Sequence, residues 1–414
     1  MAQFNQDVCH AINTLNLTLE MAKAKHLFWP EADKIYITSF IPVVVAIGIL
    51  ANALFLFTIA QVRRMRTEAN FYLGTLAVLD IFFLAFGIGF HFMVYFYSPL
   101  LQYNYPFESS MGCWLIWICN YFGVFASIAL ITLVSLERYF AICYPLHHGM
   151  YKGRARTAKW ICGACLLALV VAVAGTLWRG HLDILCIRWA NLPESHESIS
   201  IYRRCLPLTP NADIFSLNLF SVVYFTCLVI NIVAYVKIIV ALNTRHVSVD
   251  GSQHQKVKNR QHDVRNQVAR LLIINGTVYF LCYMPNRAAS LFYILNRYGI
   301  NVISFHRYQI FVLFSRGLVI MNSSLNPFIY AFSSQFYRQA FIEAIRALMC
   351  IVIPDTPMLN KRQRRNHGCK IFHTYYYSKS DQPLETTRLS DNCNCHTHFI
   401  IMSSFNLKSR VRKL

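Results

Sequence analysis

Charge is what this chain has least of. Of its 414 residues only 14% are charged and 56% are apolar, where soluble domains carry about a quarter charged residues. With a positive mean hydropathy, that scarcity excludes a disordered chain and an ordinary soluble globule. Acid is the scarcer sign: 19 Asp and Glu stand against 39 Lys and Arg, a formal net charge of +20. Apolar and polar residues do not alternate over stretches of about ten, which excludes membrane-spanning strands. There is no repeat of about 30 residues, and so no sign of a solenoid.

The apolar residues come in seven blocks, at about Ile35–Ala60, Phe71–Tyr97, Cys113–Ile142, Ala158–Leu177, Ile214–Leu242, Val268–Leu295 and Tyr308–Phe332. At about 1.5 Å of rise per residue, each is long enough to cross roughly 30 Å of hydrocarbon. In lipid the backbone must satisfy its own hydrogen bonds, so the blocks are expected to be helices. The fold class is therefore an all-α membrane protein: a seven-helix bundle over 35–332, a tail at 1–34, a short amphipathic helix at 333–350, and a tail at 351–414 expected to be disordered.

The connecting segments hold the charge. Arg63, Arg64 and Arg66 fall in the first loop, Lys152, Arg154, Arg156 and Lys159 in the third, Arg245, Lys256, Lys258, Arg260, Arg265 and Arg270 in the fifth. The C-terminal tail adds Lys361, Arg362, Arg364 and Arg365. All lie on one side, which the positive-inside bias makes cytoplasmic. Nine of the 19 acids, Asp33 and Asp213 among them, fall on the other side. The N-terminus is thus expected outside and the C-terminus inside, with the first span as its own insertion signal. The basic excess then faces lipid headgroups and a signalling partner, not nucleic acid. Asn16-Leu17-Thr18 is a glycosylation sequon on the outer side.

Ionisable and helix-breaking residues inside the spans are few, and each is a functional candidate. Asp80 lies mid-span in the second. Glu137-Arg138-Tyr139 closes the third, and Asn326-Pro327-Phe328-Ile329-Tyr330 closes the seventh. Asn52 lies in the first and Trp160 in the fourth. In this order on seven spans, they resemble the rhodopsin-like G-protein-coupled receptors over about Ile35 to Leu348. The resemblance implies a plasma-membrane receptor that binds an extracellular ligand and couples to a heterotrimeric G protein and to arrestin, the latter through tail sites such as Ser378 and Ser380. It implies a switch made of Glu137, Arg138, Tyr139, Tyr235, Pro285, Asn326, Pro327 and Tyr330. It also implies a sodium-and-water pocket of Asp80, Ser127, Asn322, Ser323 and Asn326, for which a buried hydrogen-bond network is the alternative. Cys113 and Cys205 match the family's outer disulfide; Cys9 and Cys186 are the other outer cysteines and open to a second bridge. Cys350 follows the amphipathic segment and is a palmitoylation candidate, or else a reduced thiol. Arg265 stands where many members place an acid, so no ionic lock across the spans is expected and basal activity should be appreciable. Tyr283 replaces the usual Trp, Cys227 replaces the usual Pro of the fifth span, and the outer halves of the second and fourth spans lack proline.

Arg287 and Arg316 lie in outer half-spans, roughly 13–15 Å below the outer boundary, with no acid expected in any outer half-span to pair with them. With Tyr121, and with the stretches Cys282-Tyr283-Met284-Pro285-Asn286-Arg287 and Phe314-Ser315-Arg316 around them, they resemble the thyrotropin-releasing-hormone receptors, which bind a very short amidated peptide; Phe125 replaces the Asn of those receptors. Asn120 stands where amine receptors need Asp, and the seventh span has no Lys for a retinal Schiff base. The ligand contacts expected are Asn120, Tyr121, Tyr283, Arg287 and Arg316, the ligand a short, amidated (neuro)peptide. A non-peptide ligand is the alternative. A transporter or channel would need inverted repeats or a continuous polar path, and an intramembrane enzyme a catalytic pair; neither is visible, and no cofactor is expected.

Overall fold

The first apolar block begins earlier than its hydropathy suggests. In the computed structural model, α1 runs over Glu31–Gln61, so that Asp33 falls on its first turn. The structure describes residues 14–16, 27–146, 153–188, 199–209, 211–244, 253–300 and 302–352, as backbone alone for 14–16, 188, 199–200, 253–265 and 350–352. The further helices are α2 (Glu68–Tyr97), α3 (Ser110–Cys143), α4 (Arg154–Thr176), α5 (Ala212–Thr244), α6 (Gln253–Arg297), α7 (Phe305–Ser333) and α8 (Gln335–Val352). The first six are long and apolar enough to cross a membrane. The seventh has the length, 29 residues, but carries Arg307, Arg316 and the polar run Asn322-Ser323-Ser324, most of which face its neighbours. Met1–Ala344 forms one compact unit and Ile345–Leu414 a second, of which only the end of α8 is described.

Polar side chains and small residues tie the helices together, as expected where lipid removes the hydrophobic drive between them. Asn52 Nδ2 on α1 donates to the Ser323 carbonyl on α7 at 2.9 Å, and Ser324 Oγ donates to the Val44 carbonyl at 3.0 Å. A Cβ on Gly48 would strike Ser324, so this crossing needs glycine. Asn231 Nδ2 on α5 reaches Thr132 Oγ1 on α3 at 2.8 Å, and Ser216 Oγ reaches the Gly175 carbonyl on α4 at 2.5 Å. Large apolar side chains such as Leu50, Val170, Val222 and Phe332 point outward, as lipid-facing residues should.

Two helices contain a turn of π-helix, Tyr36–Phe40 in α1 and Phe83–Ile88 in α2. The second lies in the outer half of a span that lacks proline; a π-bulge breaks helix regularity there instead. The Gly87 carbonyl in that bulge accepts from Asn120 Nδ2 at 3.2 Å.

Among the described residues, strands form a sheet at the N-terminal end of α3. β1 (Thr14–Asn16) pairs parallel to β2 (His181–Arg188), and β2 pairs antiparallel to β3 (Ile199–Leu206) with Leu182 opposite Cys205. The Cys113–Cys205 disulfide, with its Cα atoms 5.6 Å apart, fastens β3 to the outer end of α3. Cys186 is also disulfide-bonded, while Cys9 lies outside the described residues.

Candidate functional site

At the end of the bundle where α1 and α5 begin, the helices surround a cavity of about 400 Å³. Asn120, Tyr121, Tyr283, Arg287 and Arg316 all line it, so the structure brings the expected ligand contacts into one space. Tyr121 lies over Phe220 with ring centroids 4.2 Å apart, and Phe125 continues that aromatic layer at 4.8 Å.

The expectation that no acid pairs with the two arginines is corrected for Arg316, which has Asp33 near by, and holds for Arg287 among the described residues. Asp33 and Asp213 sit on the first turns of α1 and α5 and line the same cavity. Arg316 is open to the cavity, with Tyr103 as its hydrogen-bond partner and Tyr36 and Asp33 near by. Asp213 is held by Arg179, a residue that sequence reasoning missed. Arg179 Nε donates to Asp213 Oδ1 at 2.7 Å and Nη2 to the same oxygen at 2.5 Å. Its Nη1 donates to the Tyr121 oxygen at 2.9 Å, and the guanidinium lies 5.1 Å from the Trp117 ring centroid. Tyr293 on α6 donates to Asp213 Oδ2 at 3.4 Å. Arg179 therefore braces α3, α5 and α6 from the start of the second outer loop. The sequence signal was slight: an Arg just beyond the fourth span, where charge is ordinary. His91, which also lines the cavity, was missed too.

Residues before α1 cover one side of the cavity. Trp29 is buried, packs 5.7 Å from Tyr95 and 5.6 Å from Tyr103, and donates to the Ser98 carbonyl at 3.0 Å. Burial pushes the Tyr105 and Tyr202 phenols of the outer loops up; Tyr202 donates to the Gln102 carbonyl at 2.8 Å.

Midway down, Asn326 Nδ2 donates to Asp80 Oδ2 at 2.5 Å, and Ser323 also bonds the carboxyl. Ser127, Asn322 and Ser323 are buried, and Asn322 Oδ1 has no partner. The Asp80 carboxyl, the Ser323 hydroxyl that bonds it and the orphaned amide oxygen of the adjacent Asn322 are hard oxygen donors of the kind a sodium ion takes.

At the end of the bundle opposite the cavity, Arg138 turns back on Glu137: Nε is 2.6 Å and Nη2 2.5 Å from Glu137 Oε2. Ser135 Oγ and the Tyr235 hydroxyl are 3.1 Å apart, and a Cβ on Gly276 of α6 would collide with that hydroxyl. Tyr330 is buried 4.9 Å from the Phe55 ring; Tyr139 stacks edge-on to Tyr144 at 5.7 Å. Pro285 and Pro327 lie inside α6 and α7. The side chains of Arg265 and Cys350 and the residues Ser378 and Ser380 lie outside the described set, and so does the Asn16 side chain.

The helices, the buried Asp80 and the Arg138 pair define the class of protein. The profile described as "7 transmembrane receptor (rhodopsin family)" matches residues 51–330, and the chain belongs to that family. Among its relatives is the mouse neuromedin-U receptor 1, 26% identical over 358 residues, covering 80% of this chain and 78% of that protein. A neuromedin U receptor homologue of Caenorhabditis elegans is 26% identical over 323 residues, 72% of this chain and 76% of its own length. The mouse somatostatin receptor type 2 is 24% identical over 319 residues, 75% and 76%.

Proposed function

We propose that this chain is a cell-surface receptor for an extracellular, short and amidated peptide that signals through heterotrimeric G proteins. The carrying observation is the outer cavity, which gathers Arg179, Arg287 and Arg316 with aromatic rings and is large enough for a peptide end of a few residues. Relatives bearing the names of peptide receptors favour the same reading. The N-terminus and the β2–β3 hairpin lie outside. α3, α5 and α6 meet the G protein inside, and arrestin engages the same face after phosphorylation of the tail.

Ligand binding then shifts a two-state equilibrium. In the closed form Glu137 holds Arg138, and Tyr235 reaches Ser135 beside Gly276. In the open form, as the family resemblance implies, Arg138 extends towards Tyr235 and Tyr330 while α6 swings outward about Pro285. Asp80, Ser127, Asn322, Ser323 and Asn326 would hold a sodium ion, whose charge would neutralise the buried carboxylate.

The test is expression in cells and a screen of short peptides for calcium release. For an agonist so found, Arg316→Ala should lower potency about tenfold or more, the scale of a charge-assisted hydrogen bond; unchanged potency removes Arg316 from the binding site. Arg138→Ala should abolish signalling and spare agonist binding. Full signalling by that variant rejects the switch.

A further inference from the structure

Arg287 is held unlike the other two arginines of the cavity. Arg179 is ion-paired to Asp213, and Arg316 has Tyr103 bonded to it and Asp33 near by. Arg287 donates through Nη2 to the neutral amide oxygen of Asn286 at 2.5 Å, and its Nε is buried with no partner. A cation at that depth is costly until an anion or strong acceptor reaches it.

The neighbouring phenols sharpen the requirement. Tyr121, Tyr224, Tyr279 and Tyr283 stand around Arg287. Tyr224 spends its O–H on the Phe280 carbonyl at 2.7 Å, and Tyr279 spends its own on the Val124 carbonyl at 3.1 Å. Tyr121 differs, because its oxygen accepts from Arg179 Nη1 at 2.9 Å. Its proton is therefore free to donate elsewhere. Arg287 has only donors, and Tyr121 is turned into a donor by Arg179. What completes them must accept from both. The charges agree: Arg179, Arg287 and Arg316 face Asp33 and Asp213 in the same cavity, which leaves one positive charge over.

We propose that the ligand of this cavity carries a carboxylate that seats on the Arg287 guanidinium with the Tyr121 O–H as second donor, and that Arg179 is the positioning residue that makes Tyr121 a donor. The proposal rests on the receptor reading above and names the ligand's chemistry. An Asp or Glu side chain supplies this group in an amidated peptide; a free C-terminus supplies the same group only in a peptide that is not amidated, and that outcome would replace the amidated end in the reading above.

The probes are two matched pairs at millimolar concentration. One is N-acetylphenylalanine against N-acetylphenylalaninamide; the other is N-acetyl-Phe-Glu-amide against N-acetyl-Phe-Gln-amide. The phenyl group suits the Phe125–Phe220 layer. The readout is the thermal midpoint of the full-length receptor in detergent, which rises with binding to the folded state. The acid should bind roughly tenfold tighter than its neutral partner in at least one pair, as a charge-assisted bond implies. Preference in the first pair alone assigns a C-terminal carboxylate, and in the second alone a side-chain one.

Arg287→Gln should bring the ratio to about one, and Arg287→Lys, which keeps the charge, should retain part of it. Arg179→Gln leaves Asp213 without its ion pair and should cut the acid preference. Adding Asp213→Asn to Arg179→Gln removes the stranded acid but leaves the Tyr121 oxygen without its guanidinium donor, so it should not restore the preference; full restoration would show that Arg179 acts only through its ion pair and would overturn the positioning role. Equal stabilisation by acid and neutral probes, or by neither, overturns the carboxylate; so does an acid preference that survives Arg287→Gln. The signalling screen judges the receptor reading separately, since a neutral peptide agonist would still pass it.

Discussion

Asn70 shows what a single side chain does at the inner end of the bundle. Its Nδ2 donates to the Met65 carbonyl at 2.7 Å, and its Oδ1 accepts from the Tyr337 hydroxyl at 2.5 Å. Both Asn70 and Tyr337 are buried, so Asn70→Ala strands the Tyr337 phenol where water does not replace its partner, while the Met65 carbonyl keeps the Thr67 N–H at 2.9 Å. A stranded buried group costs about 1–3 kcal/mol. The detergent-solubilised Asn70→Ala receptor should unfold several degrees below the parent. Tyr337→Phe should cost less, and the double variant less than the sum; additive losses would show that the two side chains do not interact. Such a bond was invisible in the sequence, because an Asn at the mouth of an inner loop is ordinary. Asp80, Arg287 and Arg316 were legible for the opposite reason: a charge inside an apolar run is conspicuous. Asp33, Arg179 and Asp213 stand at span borders, where charge belongs, and only the fold shows them turning inward.

At the scale of elements, the inner ends of α3, α5 and α6 meet through a hydroxyl and a glycine. The Tyr235 hydroxyl lies 3.1 Å from Ser135 Oγ and against the bare face of Gly276. A side chain at Gly276 has to displace that ring or push α6 away. Gly276→Val should therefore raise ligand-free signalling severalfold while leaving surface expression measurable; parent-level basal signalling would show that Tyr235 simply moves aside. This contact also supplies a closed-state restraint of a kind that does not depend on an acid at position 265. The seven spans themselves were legible, because the hydrocarbon thickness sets their length. Their ends were less so: α1 starts at Glu31 and α5 at Ala212, where hydropathy gives way to capping and packing. The π-turn of α2 left no mark in the sequence beyond a missing proline, whereas that of α1 is followed directly by Ile41-Pro42. The β2–β3 hairpin depends on pairing two segments of an outer loop, and its register is set by partners rather than by local pattern.

For the molecule as a whole, the net charge of +20 is a statement about direction. With basic residues gathered at one end, an N-terminal epitope tag should be stained on intact cells and a C-terminal tag only after permeabilisation; the reverse pattern would reject the orientation. Direction matters because the cavity opens at one end and the Glu137–Arg138 pair closes the other. The pair is nearly dry, with side chains 12% (Arg138) and 6% (Glu137) exposed. Removing one partner of a buried pair leaves an uncompensated charge, and that penalty falls on the closed form, where Arg138 is held. Glu137→Gln should then move the equilibrium towards the open form, roughly tenfold for each 1.4 kcal/mol. Two quantities measured at opposite ends report on that single shift. Basal signalling scales with the open fraction while that fraction is small. The apparent agonist affinity scales with it as well, since an agonist binds at the expense of closing. If the receptor has two global states, Glu137→Gln raises both by about the same factor. A rise in basal signalling with unchanged agonist affinity would show that the inner pair is a local latch, uncoupled from the cavity that Arg287 and Arg316 line.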